Sequence, residues 1–150
     1  MIEDVNDNSP HFPADQIELD FPENSKPKEV KRTLPPARDA DRGWFFVEYS
    51  RLIYSHFFTS HRSNTHTSSG IFGVQSYRIV SGNVRNAFRL VSHREKDDIL
   101  YLDLQVNGIL DRENISHYQL VIEALDGGQS PLKAHLTVKI SIVSSRNNLF

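Results

Sequence analysis

Polar and apolar residues alternate along Gln16-Ile17-Glu18-Leu19-Asp20-Phe21, which predicts a strand with one buried face. The same period of two recurs at Ser76–Val80, Ala87–Val91 and Leu100–Leu104. It is clearest late in the chain, where Tyr118–Ala124 and Leu136–Ile142 are β-branched and alternating. Turn signals punctuate these runs: Ser81-Gly82-Asn83, Asn107-Gly108, and Gly127, Gly128 and Pro131. Closely spaced strands without long amphipathic helices predict an all-β fold, an antiparallel sandwich.

Trp44 to about Ile71 does not fit this pattern. Seven of the fifteen aromatics fall within Trp44–Phe58, and a polar tract rich in serine, threonine and histidine follows. Its aromatic half is unusual for a surface loop, and its polar half has the composition of a disordered segment. His56, His61 and His66 step by five, which would scatter them around a helix and argues against a zinc site.

Composition narrows the chemistry. The 150 residues suffice for one domain with a proper core. A net charge of -2, with dispersed Lys and Arg, gives no general attraction to nucleic acid or anionic lipid. The chain has no cysteine, so disulfides, thiolate metal sites and cysteine nucleophiles are excluded. No signal-peptide pattern opens the chain and no apolar run is long enough to span a membrane. If the parent protein is membrane-anchored, this chain is expected to be an internal piece of it. No nucleophile elbow, HExxH helix or phosphate loop is present, and the chain is read as not an enzyme.

Acidic groups are concentrated instead at Ile2–Phe12, I-E-D-V-N-D-N-S-P-H-F. Five of the seven positions from Asp4 to Pro10 carry a side-chain oxygen, a donor set that suits Ca²⁺ better than Zn²⁺ or Cu²⁺. The order D-x-N-D-N-x-P with a following aromatic resembles the linker between consecutive repeats of the cadherin superfamily. Four further signatures follow in family order: Pro22-Glu23-Asn24, Asp39-Ala40-Asp41, Leu110-Asp111-Arg112-Glu113 and Ala124-Leu125-Asp126-Gly127-Gly128. The wording is most similar to the very large Fat- and Dachsous-type cadherins.

The resemblance implies a seven-stranded Greek-key sandwich of immunoglobulin-like architecture. Residues 1–12 would be the calcium linker from a preceding repeat. Residues 13–143 would form one repeat, interrupted by an insert at about 44–71, and 144–150 would be a tail outside the family pattern. The resemblance also divides the ligands between two ends. At one end Asn6 (side chain), Asn8 (carbonyl), Asp39, Asp41 and Asp126 would hold Ca²⁺, while Asp7, the Val5 carbonyl and Asp4 would face ions shared with the preceding repeat. At the other, Glu23, Asp111 and Glu113 would form half a site. Its other half would be a following linker, and residues 143–150 carry no carboxylate side chain.

The function implied is a calcium-binding extracellular repeat in calcium-dependent cell–cell adhesion, homophilic or heterophilic. Its partners would be adjacent repeats of the parent chain and another cadherin on an apposed cell, with the parent anchored in the plasma membrane. The alternative is an aberrant gene-model fragment that folds as a sandwich with weak or no calcium binding. In that reading the insert and the tail are translated intron; the rival is a genuine loop whose aromatics dock on a partner. Asn114-Ile115-Ser116 is an N-glycosylation sequon, usable if the chain is extracellular, with Glu113 beside it crowding glycan access.

Overall fold

The computed structural model describes residues 9–38, 74–94, 100–127 and 130–145. Asp4, Val5, Asn6, Asp7, Asn8, Asp39 and Asp41 lie outside the described residues, as do the aromatic and histidine-bearing segment and the end of the tail. Among the described residues, seven strands form two sheets: β1 (Gln16–Pro22), β2 (Lys31–Leu34), β3 (Val74–Ser81), β4 (Phe88–Arg94), β5 (Leu100–Val106), β6 (His117–Asp126) and β7 (Lys133–Val143). One sheet has the order β1-β7-β6-β3 and the other β2-β5-β4. All six strands expected from alternation are present.

The period of two builds the core. Tyr118, Leu120, Ile122 and Ala124 of β6 point inward, as do Leu136, Val138, Ile140 and Ile142 of β7. They meet Leu102, Leu104 and Val106 of β5 and Phe88 of β4 from the opposite sheet. Phe88 sits at the centre, its ring 5.1 Å from both Phe21 and Tyr118 in edge-on contacts. Each fully buried Leu, Ile or Phe contributes about 1.5–3 kcal/mol relative to exposure.

Three features depart from the alternation pattern. β2 is not legible in it, because Arg32 takes an inward position and Lys31 and Thr33 face out, which leaves Leu34 as the one buried apolar residue of the strand. Arg32 covers the seam between the sheets. Its Nε donates to the Asp20 carbonyl at 3.2 Å, and its guanidinium lies 5.2 Å from the Phe21 ring centre. The sandwich is also not antiparallel throughout. β1 runs parallel to β7, from Gln16 opposite Thr137 to Pro22 opposite Val143. A parallel pair needs a long crossover, and here the rest of the domain supplies it.

The third departure is at the turns. Asn107-Gly108 carries the chain between sheets instead of closing a hairpin. Both backbone N–H groups donate to the Ala87 carbonyl, at 2.7 and 3.1 Å. The Ser81-Gly82-Asn83 turn likewise passes from β3 to β4 across the sandwich. Gly82 has φ +82° there, and a Cβ would lie 1.8 Å from the Gln119 carbonyl oxygen, so no other residue fits.

Candidate functional site

β1 and β7 end together at one pole of the sandwich, and the connection from β5 to β6 closes over the same pole. The Glu23 N–H donates to the Val143 carbonyl at 2.9 Å, and the Asn24 N–H to the Leu110 carbonyl at 3.0 Å. Asn24 adopts φ 59°, a left-handed conformation its short polar side chain tolerates. The Ser25 hydroxyl donates back to the Pro22 carbonyl at 2.6 Å, closing the turn. Pro22-Glu23-Asn24 and Leu110-Asp111 are thereby laced together, although they lie far apart in the sequence.

Asp111 organises the loop that follows. Its Oδ1 accepts the Glu113 N–H at 3.0 Å and its Oδ2 accepts an Asn114 Nδ2 hydrogen. Its carbonyl accepts the N–H groups of Asn114 and Ile115, at 3.2 and 2.9 Å. This is an Asx-type turn, the arrangement short acids favour over continued strand. Asp111 and Glu23 are half-buried, and Glu113 is exposed. Among the described residues, no cation lies in ion-pair range of Glu23, Asp111 or Glu113.

Asp126 stands at the opposite pole, where β6 ends. It is 3% exposed, and its Oδ1 accepts the Leu132 N–H at 3.0 Å while its own N–H donates to the Leu132 carbonyl at 3.2 Å. At this pole His11 and Arg38 form a two-way backbone bridge of 2.7 and 2.8 Å. The Ala37 N–H donates to the Tyr77 hydroxyl at 3.0 Å, and the Phe12 ring lies 6.3 Å from that of Tyr77. The residues flanking the D-x-N-D-N motif and the D-x-D motif are therefore clamped to each other.

The fold brings Glu23, Asp111 and Glu113 to one pole and Asp126 to the other. It does not gather three His, Asp or Glu side chains into a metal-ready group among the described residues. The donor set is still chemically suited to Ca²⁺, which takes oxygen ligands from separate loops and from adjoining segments. Asp111 also reaches the core electrostatically. Burial raises the Tyr118 hydroxyl above its ordinary pKa, Arg85 opposes that shift, and the Asp111 charge adds to it.

Sequence reasoning missed two other carboxylates, one on the outer face of each sheet. Asp103 of β5 is 3% exposed and accepts from Lys31 Nζ at 3.1 Å and Thr33 Oγ1 at 2.8 Å. Glu123 of β6 is 4% exposed, between Arg78 Nε at 2.7 Å and His135 Nε2 at 3.0 Å, with Lys133 Nζ at 3.8 Å. Burial pushes the Glu123 carboxyl up, but hydrogen bonds from Arg78 and His135 and the charges of Arg78 and Lys133 outweigh it and hold the group below its ordinary range. The one local signal is an acid at an outward position of a strongly apolar strand.

Two sheets packed face to face in this order make a sandwich of immunoglobulin-like architecture. The cadherin domain model matches residues 61–143, and the chain belongs to the cadherin family. It is similar to Protein dachsous of Drosophila melanogaster, 46% identical over 147 residues, covering 98% of this chain and 3% of that protein. It is also similar to Protocadherin-16 of Homo sapiens, 32% identical, covering 95% of this chain and 4% of that protein. The chain thus spans only a small part of the length of these relatives. The solved Protocadherin GammaB4 extracellular domain superposes with a TM-score of 0.70 at 26% identity, over 97% of this chain and 18% of that one. The likeness to Dachsous-type cadherins expected from the motifs is borne out. Among the described residues, no helix is long and apolar enough to cross a membrane.

Proposed function

We propose that this chain is one calcium-binding extracellular repeat of a large cadherin and that it contributes to calcium-dependent cell–cell adhesion. The observation that carries this reading is the contrast in how the acids are partnered. Asp103 and Glu123 are met by cations, whereas Glu23, Asp111 and Glu113 are met by none among the described residues. Carboxylates held at a pole without a counter-ion are suited to a cation that arrives from solution.

In this reading residues 1–12 are a linker, 13–143 a repeat carrying an insert at about 44–71, and 144–150 a tail. Asp126, Asp39, Asp41, Asn6 and the Asn8 carbonyl hold Ca²⁺ at one pole, with Asp4, the Val5 carbonyl and Asp7 turned toward a preceding repeat. Glu23, Asp111 and Glu113 offer half a site to a following linker. Bound Ca²⁺ supplies the positive charge that lets these carboxylates converge and so stiffens the junction. Adjacent repeats and another cadherin on an apposed cell are the partners, and the parent is displayed at the plasma membrane.

The test is thermal unfolding of the chain joined to its preceding repeat, with millimolar Ca²⁺ or with chelator. Ca²⁺ is expected to raise the melting temperature, and Asp126→Asn, which retains an acceptor for the Leu132 N–H, to reduce the gain. An unchanged melting temperature would remove the calcium reading.

A further inference from the structure

Asn114-Ile115-Ser116 is the one N-x-S/T triplet, with x other than proline, in the 150 residues. We propose that Asn114 carries an N-linked glycan at the Asp111 pole. This rests on the extracellular reading above, because the donor, a lipid-pyrophosphate-linked oligosaccharide, is met in the secretory pathway.

The geometry supports the site in three ways. Asn114 is exposed in the turn between β5 and β6, so a glycan there displaces no core residue. Ser116 is exposed too, its hydroxyl 2.8 Å from His117 Nδ1 at the start of β6. The hydrogen inventory at Asn114 Nδ2 also closes. An amide nitrogen carries two hydrogens, and one of them bonds to Asp111 Oδ2. In the transfer, Nδ2 bonds to the sugar C1, the C1–O bond breaks with its electron pair leaving on the lipid pyrophosphate, and the proton lost from Nδ2 passes to solvent. One N–H remains on Nδ2 after transfer, and the backbone bonds from Asn114 and Ile115 to the Asp111 carbonyl do not involve the modified atom. Glu113 precedes the acceptor, with its N–H directed to Asp111 and its side chain exposed.

The experiment expresses the full chain behind a secretory signal in animal cells and treats both lysate and medium with peptide N-glycosidase. The expected result is a loss of mass on treatment, with Asn114 recovered as aspartate in the peptide map. Ser116→Ala should abolish the shift while leaving the Asn114–Asp111 hydrogen bond available, and Ser116→Thr should preserve it. Unmodified Asn114 in material that entered the secretory pathway would overturn the proposal. The calcium melting test, run on the same Ser116→Ala protein, reports separately on the reading beneath it.

Discussion

The acids on the sheet faces and the acids at the pole differ in what the fold gives them. Asp103 and Glu123 are almost fully covered and are met by cations reaching across strands. Glu23, Asp111 and Glu113 are more open and meet no cation among the described residues, with Asp111 taking one backbone and one side-chain N–H. A carboxylate already paired inside the fold has little to gain from a metal ion. Asp111 is held by neutral donors and has no cation in ion-pair range among the described residues, which suits it to one that arrives from solution.

The largest expected effect is at Asp103. Asp103→Ala removes the acceptor of both Lys31 and Thr33 and should cost about 1–3 kcal/mol, by the same amount with Ca²⁺ or chelator, as denaturant titration would read. An effect that vanished in chelator would blur the distinction between the two groups.

Glu123 gives the next effect, through pH. Its folded pKa lies below the ordinary value of 4.5, so its contribution to stability is full above that value and is lost as pH falls through the lower folded value. Glu123→Gln should therefore flatten the acid limb of a stability–pH curve and leave the calcium response unchanged. The smallest intrinsic effect is at Asp111. Asp111→Asn in chelator should cost about 0.5–1 kcal/mol, since the amide oxygen still accepts the Glu113 N–H and only the bond from Asn114 Nδ2 is lost.

Much of the fold is legible from local sequence. The period of two marks β1, β3, β4, β5, β6 and β7, and the motif order names Glu23, Asp111, Glu113 and Asp126, the acids that the fold brings to the poles. What is not legible depends on distant partners. The covers of Asp103 and Glu123 come from residues 72, 70, 45 and 12 positions away, so no window on either strand shows them. β2 is hidden because an arginine takes an inward position where the binary pattern requires an apolar residue. The parallel pairing of β1 with β7 joins the two ends of the domain and has no local signature.

The most direct test is the calcium-induced change in melting temperature of the chain joined to the repeats on both sides, compared among the native protein, Asp111→Asn and Glu123→Gln. The account predicts a clear rise in the native protein, the same rise in Glu123→Gln, and a smaller one in Asp111→Asn. Equal rises in all three, or none in the native protein at millimolar Ca²⁺, would contradict it.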